Sequence, residues 1–341
     1  MSPKNKLSSA VPDEWNQLID EFRSFGGIAN NIVQREGTYG LGLFPINPEQ
    51  NVEIHIPDSL LVSTQNIKLD NNKIKLKDYS VHPRGYGEWY EKFQANYSWG
   101  AEAQLNIRNF EGELKKLSSN LITSLENLGL YNSKRFLLSN SNQNTFERFI
   151  QTRQIFWKGR LVLMPILELV NHSPIHPSWL ISKDGISVKG IYKDEILVRY
   201  SVSDPLRRFF QYGFNCREIT GFSLNVNVLH KNKTIIVQGG DNRRHLKLPR
   251  LTVNQNTITI HQPLLGCFFD PAQPRTLFRK VFKRIDNIDS DELFDQICHQ
   301  NRIKIISLIQ KFNNMKGSFA IQLQEACLQQ LNIISYHCGK K

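Results

Sequence analysis

Polar or aromatic side chains stand at the ends of three apolar runs in the middle of the chain. The run LVLMPILELV is followed by Asn171-His172, the run KDEILVRY ends in Tyr200, and the run FFQYGF contains Tyr212 and Phe214. An amide both donates and accepts hydrogen bonds without a charge, and a phenol joins an apolar ring to a polar tip. Polar groups backed by apolar residues are the ingredients of a preorganised pocket. The spacing therefore predicts a ligand-binding or catalytic pocket.

Four short motifs follow one another along this sequence. They are Gly40-Leu41-Gly42, Thr152-Arg153, the Asn-His pair within VNHSP, and the tyrosines of KDEILVRY and QYGF. In this order they resemble the motifs of the SET-domain protein methyltransferases, in particular the branch of the plant Rubisco large-subunit lysine methyltransferase. The resemblance comes in patches between Gly26 and Phe214, and the C-terminal third matches loosely. The combination is more specific than its parts, because a lone GxG also describes an ordinary tight turn.

The resemblance implies that the pocket binds S-adenosylmethionine. In the family, the backbone of the glycine turn holds the cofactor, the Arg lies near its methionine part, and the Asn binds its ammonium and carboxylate region. Carried over residue by residue, the implied cofactor-binding residues are Tyr39, Gly40, Leu41, Arg153, Asn171, His172, Tyr212 and Phe214. Tyr39 departs from the family pattern, in which the residue before the glycine turn is often charged.

The resemblance also implies methyl transfer to a lysine side chain of another protein, with Tyr200 as the catalytic residue. Transfer from a sulfonium is an in-line displacement, which needs a neutral amine, close approach and an aligned leaving group. A tyrosine hydroxyl can orient the amine and the polarised methyl group. Burial favours the neutral amine because it lowers the pKa of a lysine. The implied substrate-binding residues are Arg153, Glu168, Tyr200 and Tyr212.

Departures from the family pattern leave other functions open. Glu168 stands where the family has Asp, Ser201 replaces the Gly after the catalytic Tyr, and Asp204-Pro205 replaces the usual Asn segment. One alternative is therefore a catalytically inactive SET-fold module that binds a protein. Another is methylation of a histidine or a peptide nitrogen, because the pocket motifs do not fix the nucleophile.

Composition and charge narrow the class of protein. The 341 residues, of which 40% are hydrophobic, are enough for one large or two ordinary domains. The net charge of +12 favours anionic partners, among them an acidic protein substrate. Charge alone also suggests nucleic acid as a partner. Because the positive residues are spread along the chain, an ordinary basic surface is the simpler interpretation, and nucleic-acid binding is not predicted.

Cysteine usage and hydropathy bear on metals and location. None of the five cysteines forms a CxxC pair, and His172 has no metal-ligand partner at a suggestive spacing, so no metal site is predicted. No apolar run reaches transmembrane length, and Met1–Ser9 lacks the apolar core of a signal peptide. The expectation is a reducing, cytoplasmic location without a membrane partner.

By resemblance, the fold class is α+β: a SET fold of short twisted β-sheets in a pseudo-knotted core, with a helical insert and an α-rich C-terminal domain. Such threading is rare, so the physics of the sequence alone does not predict it. The implied division is an N-terminal segment at 1–25, two parts of the SET domain at 26–65 and 146–220, a helical insert at 66–145, and a β-then-helical substrate-docking domain at 221–341.

Periodicity predicts the elements that carry these residues. Helical spacing follows Pro12 and covers 110–128, 145–155, 206–211 and 273–336, where Asp289 and Glu292 resemble a capping box. Alternation predicts strands within 28–63, 178–200 and 221–264, with a turn at 239–242. The run 161–169 reads as a buried strand or a helix-like turn. The aromatic block from Trp89 to Trp99 reads as core packing or as the lining of a substrate cleft.

Overall fold

The computed structural model describes residues 11–132, 141–240, 246, 248–283, 285, 288–313 and 315–336. These residues form two compact units whose segments alternate along the chain. The first unit takes its described residues from Met1–Ile107, Asn140–His172 and Pro177–Val198, and the second from Arg108–Ser139, Ser173–His176 and Arg199–Lys341. Helices and small sheets occur in both units, so the α+β class predicted from the sequence is confirmed.

The first unit is built around small sheets. Its described strands are Ile28–Asn30, Ile32–Gly37, Gly40–Pro45, Asn51–Pro57, Val62–Ser63, Ile67–Asp70, Lys73–Leu76, Ile155–Trp157, Arg160–Leu163, Asn171–His172, Leu180–Ile181, Gly185–Ile191 and Leu197–Val198. Its described helices are Asp13–Ser24, Tyr86–Tyr97 and Ser141–Arg153, with a π-helical turn at Trp99–Ala103 and 3₁₀ turns at Asp58–Leu60, Thr64–Asn66 and Leu167–Leu169. One sheet has four antiparallel strands, in the order Ile28–Asn30, Asn51–Pro57, Gly185–Ile191 and Leu180–Ile181.

The strand Asn51–Pro57 buries alternate side chains at the centre of that sheet. Val52, Ile54 and Ile56 are fully buried, whereas His55 between the two isoleucines is only partly buried. Side chains of a strand point alternately to its two faces, so this two-residue repeat marks one buried face. The half-buried strand predicted from the alternation is confirmed.

The first helix, Asp13–Ser24, packs against the aromatic helix Tyr86–Tyr97. The Nε1 atom of Trp89 donates to the Leu18 carbonyl at 2.9 Å, and the Trp89 ring stacks on Phe22 with ring centroids 5.2 Å apart. Aromatic pairs of this kind add about 0.5–1.5 kcal/mol beyond the burial of their surface. The aromatic residues of this helix therefore form core, which is the first of the two interpretations that the sequence allows.

The second unit combines helices with a four-stranded sheet. Its described helices are Gln104–Lys115, which the division between the units cuts after Ile107, and Ser119–Asn127, Pro205–Tyr212, Gln273–Phe282, Ser290–Phe312 and Ser318–Ser335. Its described strands are Thr220–Phe222, Val226–His230, Lys233–Gln238, Arg250–Val253, Thr257–His261 and Leu264–Cys267. The four-stranded sheet has the order Val226–His230, Lys233–Gln238, Thr257–His261 and Arg250–Val253, and its central pair is parallel. The α-rich C-terminal region predicted from the sequence is confirmed.

The long helix Ser290–Phe312 begins at a side-chain cap. The Asp289 carboxylate accepts hydrogen bonds from the backbone N–H of Asp291 at 3.0 Å and from that of Glu292 at 3.1 Å. A carboxylate here satisfies backbone donors that have no partner within the helix and meets the positive end of the helix dipole. The helix start predicted at Asp289 is confirmed.

Several predicted helices have other bounds in the structure. The region predicted as helical over 273–336 is divided into three helices, Gln273–Phe282, Ser290–Phe312 and Ser318–Ser335. The helix predicted over 110–128 is wrong as a single element, because one helix ends at Lys115 and the next starts after Ser118. Ser118 has extended backbone (φ −64°, ψ 150°), and the leucines at 114, 117, 121 and 125 are nevertheless all buried. The helix predicted over 145–155 runs from Ser141 to Arg153, and Ile155 starts a strand.

Some predictions from the sequence concern residues or features that the described structure does not cover. In the turn predicted at 239–242, Asp241 and Asn242 lie outside the described residues, as does Cys338. No helix in the described part of the chain is both long enough and apolar enough to cross a membrane. The threading that a pseudo-knotted core requires stays a prediction.

Candidate active site

The glycine motif forms the tip of a β-hairpin in the first unit. The strands Ile32–Gly37 and Gly40–Pro45 pair antiparallel, with Gly37 opposite Gly40. Gly40 has a φ of +86°, a conformation that glycine adopts without steric cost. Tyr39 stands at the tip and is 55% exposed. The tight turn is therefore present. The contact of Tyr39, Gly40 and Leu41 with a ligand stays a prediction.

Asn171 lies against this hairpin. It opens the strand Asn171–His172, which pairs in parallel with Leu197–Val198 and buries the histidine. Its side-chain nitrogen Nδ2 donates to the Leu41 carbonyl at 3.2 Å and to the Oε1 atom of Glu195 at 2.6 Å. An amide nitrogen has two hydrogens, and both are donated within the protein. A ligand can therefore use only the acceptor Oδ1 of this amide.

Glu195 is a buried carboxylate that the sequence reasoning did not select. It is 9% exposed. Burial raises its pKa and the charge of Asp194 raises it further, whereas the hydrogen bond from Asn171 acts to lower it. A Cβ atom on Gly42 would lie 2.2 Å from the Oε1 atom of Glu195 and 2.7 Å from the Nδ2 atom of Asn171. Position 42 therefore suits glycine because the carboxylate and the amide occupy the space of a side chain. The available signal was the glutamate of KDEI, which matches the family pattern GEEI.

We call these four neighbouring residues the Glu195 cluster: Leu41, Gly42, Asn171 and Glu195. The Leu41 carbonyl, the Glu195 carboxylate and the amide oxygen of Asn171 can all accept a hydrogen bond or face a positive charge. A buried carboxylate is stabilised by a cation and destabilised by a second anion. The cluster therefore suits a cationic group such as an ammonium or a sulfonium.

A second carboxylate of the same unit, Glu168, is held by residues that precede it by about seventy positions. Its Oε1 atom accepts from Nε2 of Gln94 at 2.7 Å and from Oγ of Ser98 at 2.6 Å. Its Oε2 atom is buried and has no hydrogen-bond partner among the described residues. Burial raises the pKa of Glu168, while the bond from Ser98, the charge of Arg153 and the bond from Gln94 act in the opposite direction.

A strained turn carries Glu168. Ile166 has φ +67° and ψ −54°, and the backbone N–H of Leu167 donates to the Pro165 carbonyl at 2.8 Å. This is the rarer, strained form of the γ-turn, and a positive φ is an outlier for a β-branched residue. The Ile166 side chain is fully buried, so its packing helps to hold the backbone in this conformation. The predicted element at 161–169 is thus a strand, Arg160–Leu163, followed by a helix-like turn.

Arg153 ends the helix Ser141–Arg153 and is fixed by its own neighbours. Its guanidinium lies 4.2 Å from the centroid of the Phe149 ring, and its Nη1 atom is 3.0 Å from Oγ1 of Thr152. A stacked guanidinium keeps a planar fork of donors in one orientation. Its charge acts on Glu168. Two residues predicted to bind substrate therefore interact electrostatically.

In the second unit, the helix Pro205–Tyr212 brings three predicted aromatic residues together. The ring centroids of Tyr200 and Tyr212 are 5.6 Å apart with planes at 44°, and those of Tyr212 and Phe214 are 5.7 Å apart at 46°. Gly213 ends the helix with a φ of +81° and returns the chain toward Tyr212. Tilted aromatic rings offer faces that a cationic side chain with an aliphatic stem can contact.

Arg208 supports this aromatic group from a fully buried position. Its guanidinium lies 4.9 Å from the centroid of the Tyr212 ring. Its Nε atom donates to Oε1 of Glu218 at 2.7 Å, and its Nη2 atom donates to the Ser201 carbonyl at 3.0 Å. Burial acts to lower the pKa of Arg208, but the charge of Glu218 and the neighbouring Tyr212 raise it, so the guanidinium stays charged. Arg208 therefore links the residue after Tyr200 to the ring of Tyr212.

The segment that departs from the family pattern is buried and bonded. Asp204 caps the helix Pro205–Tyr212 by accepting from the backbone N–H of Arg207 at 2.8 Å, and it forms a buried ion pair with the Arg207 guanidinium. The same guanidinium donates to the Ser223 carbonyl at 2.8 Å. Aspartate at the cap followed by proline at the first position is a favoured helix start. Ser201 and the three residues after it are all buried, so the altered segment has a structural role.

The predicted site residues thus fall into three groups, each within one unit. The first group is the hairpin with Asn171, and the second is Glu168 with Arg153. The third consists of the aromatic residues Tyr200, Tyr212 and Phe214. The meeting of these groups in one pocket stays a prediction. Sequence reasoning missed Glu195 and Arg208, the latter because a pair of arginines on a short helix resembles surface charge.

Several solved structures are similar to this chain, among them the following two. One is the SET domain of LSMT bound to lysine and AdoHcy, with 13% identity and a TM-score of 0.41 over 96% of this chain and 91% of that chain. The other is Rubisco LSMT bound to AdoMet, with 14% identity and a TM-score of 0.42 over 98% of this chain and 91% of that chain. No protein-family model matches the sequence, and no curated protein matches it. At these identities and TM-scores, the similarity assigns no residue and no activity to this chain.

Proposed function

We propose that this chain is an S-adenosylmethionine-dependent protein methyltransferase of the SET-domain type, which transfers a methyl group to a lysine side-chain nitrogen of a protein substrate. The observation that carries the proposal is the Asn171 amide, whose two hydrogens are donated to Leu41 and Glu195 beside Gly42. The resulting acceptors suit a ligand that carries both an ammonium and a sulfonium, as this cofactor does. The order of the sequence motifs supports the same assignment.

We assign each predicted cofactor residue to one part of the cofactor. The Leu41 carbonyl, the Glu195 carboxylate and the Asn171 oxygen are assigned to the cationic groups. Arg153 is assigned to the carboxylate, because a fixed guanidinium fork matches that group. The remaining contacts, through backbone groups or ring faces, are assigned to Tyr39, Gly40, His172, Tyr212 and Phe214. When bound, the cofactor supplies an electrophilic methyl group on a positively charged sulfur.

The residues of the second unit are assigned to the lysine. The faces of the Tyr200 and Tyr212 rings contact its aliphatic stem and keep water away from the nitrogen. The Tyr200 hydroxyl orients the nitrogen lone pair, which must be free of a proton. Burial of the lysine lowers its pKa and favours that neutral form. Arg208 is assigned a positioning role, because it holds both Ser201 and the Tyr212 ring.

The remaining predictions belong to the same proposal. The net charge of +12 favours an acidic protein substrate, and the segment 221–341 is assigned to docking it. The division of the SET domain into 26–65 and 146–220 around the insert 66–145 stays part of the proposal. A reducing, cytoplasmic location is supported by the free thiols of the four cysteines that the structure describes.

Binding and transfer are tested separately. Calorimetry with S-adenosylmethionine measures binding, and a labelled methyl group followed into a lysate of the host identifies the modified residue by mass spectrometry. Tyr200→Phe should lower transfer by about 10²–10³-fold with little change in cofactor affinity, because it removes one positioned hydroxyl. Tyr336→Phe is the matched control, since Tyr336 is 42% exposed and packs on Phe268.

The outcomes distinguish the lysine methyltransferase from the alternative functions. Label on a lysine supports the proposal, and label on a histidine or a peptide nitrogen changes the nucleophile. Binding without transfer to any protein identifies a non-catalytic module. Absence of cofactor binding would overturn the proposal.

A further inference from the structure

A small pocket in the first unit is formed by residues outside the proposed methyl-transfer site. Its volume is about 210 Å³, and Asp58, Ser59, Ser63, Val81, His82 and Arg160 are among its lining residues. Sites for drug-sized ligands measure about 300–1,000 Å³. This pocket therefore fits one side chain or a small ion better than a nucleotide or a larger cofactor.

Asp58 fixes the positive wall of the pocket. Its Oδ1 atom accepts from Nε1 of Trp157 at 2.7 Å and from Nη2 of Arg160 at 2.8 Å, and its Oδ2 atom accepts from Nζ of Lys158 at 2.7 Å. Burial acts to raise the pKa of Asp58, but the bonds from these three residues lower it, so the carboxylate stays ionised at neutral pH. Two cations on one carboxylate leave a net positive charge, and Arg160 has further N–H donors beyond the one that Asp58 accepts.

His82 adds a hydrogen-bond acceptor to the same pocket. Its Nδ1 atom lies 2.9 Å from the Ser59 carbonyl, which can only accept, so Nδ1 carries the hydrogen. Its Nε2 atom is buried and has no hydrogen-bond partner among the described residues. The ring packs on Tyr86 with centroids 5.0 Å apart, which limits its rotation.

The protonation state of His82 decides what it can bind. Burial lowers its pKa, with the bond to Ser59 opposing and the charge of Arg160 reinforcing that change, so the imidazole is neutral at pH 7. Its Nε2 atom then presents a lone pair. A buried acceptor without a partner costs free energy, which a donor from a ligand recovers. The pocket therefore offers a cationic donor, Arg160, and a neutral acceptor, His82.

We propose that this pocket binds an acidic side chain of a protein partner, with the carboxylate on Arg160 and a nearby peptide N–H of the partner on the Nε2 atom of His82. A guanidinium matches the geometry of a carboxylate, and peptides carry an N–H donor close to every acidic side chain. A cationic ligand is disfavoured, because it would face Arg160, and the Asp58 carboxylate already accepts from three donors. The net charge of +12 favours an acidic partner as well. This inference does not depend on the proposed methyl transfer.

The test uses the full chain, labelled with ¹⁵N in its histidine rings, and N-acetyl-glutamate N-methylamide as the probe. NMR follows the Nε2 resonance of His82, which is assigned by its loss in His82→Phe, a variant that keeps a ring against Tyr86. We expect this resonance to shift progressively as the probe is added. The uncharged glutamine analogue of the probe should bind about tenfold more weakly, as expected for the loss of one charged hydrogen-bond pair.

Two matched variants separate the pocket from general charge attraction. Arg160→Gln should weaken binding of the probe about tenfold, because it removes the guanidinium that lines the pocket. Lys158→Gln should leave binding nearly unchanged, because Lys158 shares the same carboxylate but does not line the pocket. Equal losses in the two variants, equal binding of the glutamine analogue, or an unmoved His82 resonance would each overturn the proposal.

Discussion

Asn171 donates a 2.6 Å hydrogen bond to Glu195, a carboxylate 24 residues further along the chain that is only 9% exposed. This pair decides which ligands the site can bind. Both hydrogens of the amide are donated to protein oxygens, so only hydrogen-bond acceptors remain for a ligand. A cation is therefore the favoured occupant of the Glu195 cluster, and the following predictions test this and the neighbouring contacts.

Glu195→Gln should weaken S-adenosylmethionine about tenfold while leaving the fold intact. The substitution keeps an acceptor for Asn171 but removes the negative charge, and a charged hydrogen bond contributes about 1.5–3 kcal/mol. Calorimetry gives the affinity and urea denaturation gives the stability. Asp184→Asn is the control, because that carboxylate is exposed and belongs to the same unit. Unchanged affinity in Glu195→Gln would remove this residue from the cofactor site.

Gly42→Ala should displace the Glu195 carboxylate and lower both stability and cofactor affinity. The new Cβ atom would lie 2.2 Å from Oε1 of Glu195, and overpacking of this kind costs about 1–3 kcal/mol. In Gly42→Ala/Glu195→Ala the two losses should be less than additive, because the second change removes the clash. Gly112→Ala is the control: nothing lies within 4 Å of its Cβ position, so a helical alanine should stabilise it by about 0.5–1 kcal/mol. Additive losses in the double variant would contradict the assigned clash.

Glu168 should make the protein less stable as pH rises. Burial raises its folded-state pKa above the unfolded value, so the folded state binds more protons between the two values. Stability therefore falls with rising pH across that interval and is constant above it. Urea midpoints of the wild type and Glu168→Gln, measured from pH 4 to pH 8, should show the variant gaining relative to the wild type as pH rises. A difference between the wild type and Glu168→Gln that stays constant across this pH range would contradict the raised pKa of Glu168.

Arg208→Met should destabilise the second unit by about 3–5 kcal/mol, because it leaves the buried charge of Glu218 without its partner. Arg208→Met/Glu218→Leu should recover most of that loss, since it removes both charges from the interior. Chemical denaturation measures both variants. If the double variant is as unstable as the single one, Arg208 acts mainly through its bond to the Ser201 carbonyl and its contact with Tyr212.

Local elements of this fold follow from the sequence because their causes lie close together along the chain. The alternation at Val52, Ile54 and Ile56 predicts one buried face, and Asp289 predicts a helix start, since both signals act within a few residues. The break at Ser118 was missed because leucines on either side keep the spacing of a continuous helix. The apolar run 161–169 also suggests burial from its first residue onward, but Leu161 is 43% exposed.

The polar part of the site was predicted less completely, because its partners are distant in sequence. The motifs predicted Asn171, Tyr200 and Tyr212, whose types suggest chemistry. They did not select Arg208, since charge on a helix is normally solvated. The burial of Arg208 depends on Glu218 in the following segment, and that pairing becomes visible only once the chain is folded.

The contact between position 42 and the carboxylate of Glu195 also has an evolutionary consequence. A side chain at position 42 would force the Glu195 carboxylate out of the place that it occupies beside Asn171. In descendants of a common ancestor, a lineage that acquires alanine or serine at 42 should shorten or lose the acid at 195. Such correlated change would be readable from sequences alone, without any further structure.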